Sequence, residues 1–248
     1  MRIKVRRDLR LASARPAVVK PLSGSSAGSL RRLIEVAAAL CVLLTVVKAG
    51  GQTFTDATSA AGIGYHQYSS LEDTLGEPHH MTGGAAAGDY DNDGWVDLFI
   101  TRMDAVNILY RNNQDGTFQR IFGTSVGIDA FGGSNGAIWG DIDNDGDLDL
   151  YVTTVEVDRN FLYINNGDGL FFEAAVARGA AIRNPDSGIQ NGFGAALGDY
   201  DRDGFLDLFA GCWSDLGGLR SRLLRNRGRE NPGRFVDVTF DAGIAPVG

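Results

Sequence analysis

No lysine follows Lys48. Residues 50–248 carry 13 Arg against 29 Asp and Glu, a net of −16. The whole chain stands at only −8, because residues 1–49 hold ten Lys and Arg against Asp8 and Glu35. So acidic a body repels polyphosphate and excludes nucleic acid as the main partner. Cysteine is nearly absent, with Cys41 in the N-terminal region and Cys212 in the body. Once the N-terminal region is removed no internal disulfide can form, so cysteine reports nothing about the redox compartment. The three histidines, His66, His79 and His80, have no Cys or further His at ligand spacing, which argues against a transition-metal site. Proline is scarce (6) and glycine abundant (34), a balance that suits tight turns between short strands. No segment keeps helical periodicity over three turns, which points to an all-β body.

A membrane-length apolar run is missing too. Residues 33–47 form a 15-residue apolar stretch interrupted by Glu35, short for a bilayer span. It follows a basic segment, 1–32, and leads to Val47-Lys48-Ala49, with acceptable residues at −3 and −1 for signal peptidase. Residues 1–49 therefore read as a secretory signal, with n-region 1–32 and h-region 33–47, and an uncleaved anchor as the alternative. Cleavage would leave a secreted, periplasmic or cell-surface body, residues 50–248, with no membrane insertion.

What is present is a carboxylate pattern. In Asp141-Ile-Asp143-Asn144-Asp145-Gly146-Asp147-Leu148-Asp149, Asp occupies positions 1, 3, 5, 7 and 9, with glycine at 6. A hard cation such as Ca²⁺ takes six to eight oxygens, and Asp side chains at this spacing supply them. Left without a cation, carboxylates this close repel one another. Gly146 permits the sharp turn of the loop, and the oxygen at position 7 is the backbone carbonyl of Asp147.

The pattern recurs at Asp89, Asp91, Asp93 and Asp97, with Trp95 at position 7, and at Asp199, Asp201, Asp203 and Asp207, with Phe205 at position 7. The three loops, 89–97, 141–149 and 199–207, start 52 and 58 residues apart and contain 13 of the body's acids. About three Ca²⁺ ions would offset six of those charges. An EF-hand is excluded, because position 12 is Ile100, Val152 or Ala210 in place of a bidentate Glu.

Around each loop the chain repeats. A small-residue strand leads in (83–88, 135–140, 192–198) and a second strand leaves (96–101, 148–153, 206–210). A third strand and an Asp-Gly turn follow in Asn107-Ile-Leu-Tyr-Arg-Asn112-Asn-Gln-Asp-Gly116 and Asn160-Phe-Leu-Tyr-Ile-Asn165-Asn-Gly-Asp-Gly169. A fourth strand starts at Phe118, Phe171 or Phe235 and ends in Val126-Gly127-Ile128, Arg178-Gly179-Ala180 or Ala242-Gly243-Ile244. The same fourth-strand signature opens the body at Phe54, with Ala61-Gly62-Ile63. Four short strands repeated about every 50 residues match the blades of a β-propeller.

The units resemble FG-GAP/VCBS repeats, the calcium-binding blades of the integrin α-subunit propeller. The Phe-Gly pair survives at Phe193-Gly194 and is replaced by Gly83-Gly84 and Asn135-Gly136. The Gly-Asp-Tyr-Asp-Asn-Asp-Gly wording and the Leu-Tyr-x-Asn hairpins are similar to those of secreted cartilage acidic protein 1-like proteins. The resemblance covers about residues 53–248. It implies a propeller of about three four-stranded blades, an incomplete ring, with structural Ca²⁺ held by the Asp residues of the three loops. It further implies adhesion or ligand binding outside the cell, toward a protein or glycan that remains unidentified. A Ca²⁺-dependent polysaccharide lyase or hydrolase is the alternative class, and a non-functional fragment of a longer propeller is a third. Three blades leave open edges that imply self-association.

Three other features have plainer readings. Gly132-Gly133-Ser134-Asn135-Gly136 fits a nucleophile-elbow string, but no His follows Ser134, so it reads as a turn between blades. Arg220, Arg222, Arg225, Arg227, Arg229 and Arg234 form a basic cluster that reads as a solvated face. Trp95, Trp139 and Trp213 recur near the loops and read as blade packing.

Overall fold

A computed structural model describes residues 54–65, 83–103, 105–129, 133–157, 159–182, 190–212 and 221–244. The N-terminal signal or anchor, the three histidines, Arg220 and Trp213 lie outside the described residues. The chain separates by internal contacts into Met1–Asp56 and Ala57–Gly248, and all twelve strands lie in the second unit. Among the described residues no helix is long and apolar enough to cross a membrane.

The strands form three four-stranded antiparallel blades. Blade 1 contains β1 (Ala85–Gly88), β2 (Asp97–Ile100), β3 (Ile108–Asn112) and β4 (Phe118–Phe122), paired in that order. Blade 2 contains β5 (Ser134–Gly140), β6 (Asp149–Val157), β7 (Phe161–Asn165) and β8 (Phe171–Glu173). Blade 3 contains β9 (Gln190–Gly198), β10 (Asp207–Cys212), β11 (Arg222–Asn226) and β12 (Phe235–Asp237). The far end of β6 also pairs with the start of β9, through Val155 with Asn191 and Val157 with Gln190, which joins blades 2 and 3 into one eight-stranded sheet. In each blade the carboxylate loop connects the first hairpin. Gly88 pairs with Asp97, Gly140 with Asp149 and Gly198 with Asp207, so position 9 of every loop begins the second strand.

Alternation along the strands sorts the core into layers between blades. Ala86, Phe99 and Leu109 point forward from blade 1 and pack on Leu150, Val152, Tyr163 and Phe171 of blade 2. Tyr151 and Leu162 point forward from blade 2 and pack on Leu208, Ala210, Leu224 and Phe235 of blade 3. Trp139 joins the first layer, with its ring 6.1 Å from Phe99 and 5.9 Å from Phe171. Each large apolar side chain buried this way contributes about 1.5–3 kcal/mol, so apolar faces carry most of the attachment between blades.

The inner strands are made of small residues because they converge. A Cβ on Gly84 would sit 2.4 Å from the carbonyl oxygen of Asn135 in the next blade. Thr101 bridges the same approach, donating to the Asn135 carbonyl at 2.6 Å while accepting from the Gly84 N–H.

After the fourth strands of blades 1 and 2 a compact turn reaches the next blade. Val126 accepts from the Phe171 N–H at 2.7 Å, and Ala61 of the leading turn accepts from the Phe118 N–H at 2.9 Å. In blade 2 this turn is a single helical turn, α1 (Ala175–Arg178), closed by left-handed Gly179. The leading copy of the signature, residues 54–65, forms the turn but no strand. A fourth strand needs a third to pair with, and none precedes it among the described residues. The cluster of arginines runs through and beyond β11, the third strand of blade 3, with Arg225, Arg227, Arg229 and Arg234 exposed as a solvated face.

These turns predict two unequal substitutions. Gly127→Ala places Cβ 1.9 Å from the Phe171 carbonyl oxygen at φ +82°, whereas Gly243→Ala at φ +72° meets nothing within 4 Å. Gly243→Ala should cost only the left-handed penalty, about 1–2 kcal/mol. Gly127→Ala should cost clearly more and lower Tm further in a thermal melt of the two variants.

Candidate metal centre

All three loops fold by the same internal hydrogen bonds. The position-1 carboxylate caps the turn. Asp89 accepts from the N–H groups of Asp93 and Gly94 at 3.1 and 2.8 Å. Asp141 accepts from Asp145 and Gly146, both at 3.1 Å, and Asp199 from Asp203 and Gly204, both at 3.0 Å. The position-5 carboxylates, Asp93, Asp145 and Asp203, accept from the N–H groups of Trp95, Asp147 and Phe205 at 2.9, 3.0 and 2.9 Å. Position 4 is left-handed in every loop, at Asn92, Asn144 and Arg202.

Position 9 is a buried knot. Asp97 accepts from the N–H of Tyr90 and from that of Asn112 at the end of β3, at 3.2 and 2.8 Å. Asp149 does the same with Ile142 and Asn165 (3.2 and 2.9 Å), and Asp207 with Tyr200 and Asn226 (3.1 and 2.8 Å). Burial raises all three carboxyl groups, Asp97 to about 6 and Asp149 to about 8, against the backbone donors that favour the charged form.

The expected ligands gather in part. Oxygens of Asp89, Asp91 and Asp97 lie within 4.8 Å of one another, as do those of Asp141, Asp143 and Asp145 and those of Asp199, Asp201 and Asp203. Asp93, Asp149 and Asp207 stand beside these groups, tied into the loop by the bonds above. The side chains at position 7 diverge, with Trp95 half-exposed, Phe205 buried and Asp147 turned toward loop 1, so only the backbone carbonyl is common to that position.

Two observations fit a hard cation. Every side-chain donor in the three groups is a carboxylate. Asp91 Oδ1 and Asp143 Oδ1 are buried without a hydrogen-bond partner, an expensive state that a coordinated ion would relieve. Their second oxygens already meet guanidinium groups, Arg111 Nε at 2.6 Å from Asp91 and Arg178 Nη2 at 3.3 Å from Asp143.

Sequence reading missed the links between loops. Asn92 Nδ2 donates to Asp147 Oδ1 at 2.5 Å, and Asn144 Nδ2 donates to the Gly204 carbonyl at 2.9 Å. Asn165 Nδ2 donates to the carbonyls of Tyr90 and Leu148, and Asn226 Nδ2 to those of Ile142 and Leu206. Asn165 and Asn226 therefore clamp their own loop to the loop of the preceding blade, and Asn92 and Asn144 reach the loop of the following one. The signal was a Leu-x-x-Asn ending shared by Leu109–Asn112, Leu162–Asn165 and Leu223–Asn226. Ser134 of the elbow-like string lies buried in β5, its Oγ accepting from Asn107 at 2.9 Å.

This arrangement agrees with the comparisons. Residues 89–152, the first loop through β6, match the profile of the FG-GAP-like repeat. Residues 89–152 thus carry an FG-GAP-like repeat. The chain is similar to cartilage acidic protein 1 of Xenopus tropicalis, at 35% identity over 113 residues covering 46% of this chain and 16% of that protein. The human cartilage acidic protein 1 is 35% identical over 89 residues, covering 36% of this chain and 13% of its own length. The matched region thus spans under a fifth of either relative. A solved lectin of Agrocybe aegerita, described as recognising non-reducing terminal N-acetylglucosamine, aligns with 63% of this chain and 37% of its own at 17% identity and TM-score 0.37.

The raised carboxyl groups of the three loops set a pH dependence. A carboxyl whose folded pKa lies above its unfolded value stabilises the fold below the unfolded value and loses that contribution as pH rises through the folded one. For Asp97 and Asp149 the loss runs from about pH 4 to about 8. In EDTA, Tm should therefore fall as pH rises across this window. Calcium prefers the ionised carboxylates, so the Ca²⁺-induced gain in Tm should grow from pH 5 to pH 8, measured by calorimetry at matched ionic strength.

Proposed function

We propose that this protein is an extracellular calcium-binding module that acts in adhesion or ligand binding, without catalysis of its own. Ca²⁺ is structural in this reading. The observation that carries it is the threefold recurrence of one loop in which three carboxylates converge, two of them holding buried oxygens with no other partner. Asp89, Asp91, Asp93 and Asp97 would hold the first ion, with the Trp95 carbonyl. Asp141, Asp143, Asp145 and Asp149 would hold the second, with the Asp147 carbonyl, and Asp199, Asp201, Asp203 and Asp207 the third, with the Phe205 carbonyl.

An ion in each loop cancels the repulsion among its carboxylates and stiffens the first hairpin of the blade. Because the loops are joined through Asn92, Asn144, Asn165 and Asn226, that stiffness passes from blade to blade. The secretory reading of residues 1–49 and the similarity to cartilage acidic protein 1 support an extracellular setting, where millimolar Ca²⁺ matches sites with Kd of about 10⁻⁴–10⁻³ M. The ligand would be a protein or glycan that meets the loops connecting the strands, where propeller-type scaffolds vary most.

Isothermal titration of the full chain should give about three Ca²⁺ equivalents, and saturating Ca²⁺ should raise Tm over EDTA by ~10 °C or more. Asp143→Asn should remove one equivalent and leave the other two. Absence of Ca²⁺ binding at millimolar concentration by a folded chain would end this reading. Glycan and matrix-protein arrays probed in Ca²⁺ and in EDTA would then test the ligand class.

A further inference from the structure

Loops 1 and 2 share one sequence plan and each is followed by a further blade, yet their carboxylates gather differently. In loop 2 the converging oxygens come from positions 1, 3 and 5, Asp141, Asp143 and Asp145. In loop 1 they come from positions 1, 3 and 9, and Asp93 at position 5 stands outside the group. Two side chains of blade 1 hold it there. Arg111 Nη2 and Gln114 Nε2 each donate to Asp93 Oδ2 at 3.2 Å, while Arg111 Nε lies 2.6 Å from Asp91 Oδ2. Asp93 Oδ1 is taken by the N–H of Trp95. Of the four oxygens on these two carboxylates, Asp91 Oδ1 alone is left without a donor. We propose that Arg111 and Gln114 form a latch that stands in for the cation in loop 1, so that Ca²⁺ must displace them from Asp93 and enters loop 1 after loop 2. This inference rests on the calcium reading above.

Loop 2 is built without the latch. In the matching hairpins Leu109-Tyr110-Arg111-Asn112 stands against Leu162-Tyr163-Ile164-Asn165, and Gln114 against Gly167. Ile164 is buried in the layer between blades 2 and 3. Asp145 Oδ1 accepts from the Asp147 N–H, and among the described residues no donor meets its Oδ2. Arg178 does reach loop 2, but only at Asp143 Oδ2, and its Nη1 donates to the Pro232 carbonyl at 2.8 Å. It holds position 3 and leaves position 5 to an ion.

The turn that carries Gln114 favours a built contact over an accidental one. The N–H groups of Gln114 and Gly167 donate to Asn112 Oδ1 and Asn165 Oδ1 at 2.9 and 3.1 Å, so the two turns share one geometry. That geometry is left-handed, with φ +66° at Gln114 and +87° at Gly167. Glycine adopts it freely and glutamine does not. Blade 1 therefore keeps a strained residue where blade 2 has glycine, and the side chain of that residue lies on Asp93. Strain of this kind persists where its surroundings hold it. The Arg111 side chain is 43% exposed, so its guanidinium can swing into solvent when an ion takes Asp93.

The latch already offsets the repulsion between Asp91 and Asp93, so Ca²⁺ gains less in loop 1 than in loop 2. The charge-assisted bonds it must break on half-exposed groups correspond to about tenfold in affinity. With loop 2 at a Kd of about 10⁻⁴–10⁻³ M, loop 1 fills near or above the millimolar level outside cells. The first hairpin of blade 1 then follows the Ca²⁺ supply, while that of blade 2 stays set.

The amides of Gly94 and Gly146 report the two loops, because each donates to its own position-1 carboxylate. Followed by NMR as Ca²⁺ is titrated into the full chain, Gly146 should reach its midpoint at about tenfold lower concentration than Gly94. Arg111→Met keeps the stem and removes the donors, and Gln114→Gly removes the other donor and the strain. Each should draw the Gly94 midpoint about threefold or more toward that of Gly146, which should stay in place. Arg120→Met controls for charge. Arg120 lies on β4 opposite Tyr110 with its guanidinium over Phe122, and its loss should move either midpoint by no more than about twofold. Coincident midpoints in the wild type, a gap that survives in both latch variants, or an equal shift with Arg120→Met would overturn the latch and leave the calcium reading standing. A folded chain in which neither amide responds to millimolar Ca²⁺ would end that reading and this inference with it.

Discussion

Three buried aspartates hold this molecule to its plan. Asp97, Asp149 and Asp207 each take one backbone N–H from their own loop and one from the end of the third strand. A single carboxylate thus fixes the loop and aligns the first hairpin with the second. These bonds are buried, where the loss of a partner is most costly. The same residue opens the second strand, so the place of the loop and the register of the sheet are one decision. Burial also resists the charge on these carboxylates, and a cation in the loop is the natural counterweight.

From that knot the structure builds outward by repetition. The asparagine that supplies the N–H to the aspartate turns its amide to the preceding loop. Position 4 of a loop reaches the next loop from the other side. Apolar faces close the rest of the gap, and glycines at the inner strands allow backbones to approach where no side chain fits. Each blade is therefore finished by its neighbour, as in other repeat proteins whose units cannot bury their faces alone. Blade 2, which has a neighbour on both sides, buries its two faces. Blade 3 exposes Phe209, Tyr200 and Phe193 on the one that lacks a described neighbour.

Much of this was legible before the fold was known. The loops could be read because their carboxylates lie within nine residues and the turn demands glycine in the middle. Strands β1 to β10 and β12 could be read from the small-residue, apolar and Phe-led segments that flank the loops. Strand β11 was obscured, because Arg222 and Arg225 gave its sequence the look of a charged surface, while Leu224 and Asn226 on its buried side carried the pattern. The leading fourth-strand signature produced a turn without a strand, because pairing depends on a partner outside the segment. Arg111 and Arg178 escaped notice as companions of Asp91 and Asp143, since each is brought there by an element distant in sequence.

The sequence by itself determined the all-β blades, their number among the described residues and the three acidic loops, because these depend on local chemistry: alternation, turn residues and carboxylates close together along the chain. Tertiary structure alone decided which carboxylates are knots and which face the centre of the loop, which amides join one loop to the next, and which apolar face is left open. Those outcomes arise from contacts between residues 15 to 84 positions apart. Only the packing of one blade on another brings such groups within reach.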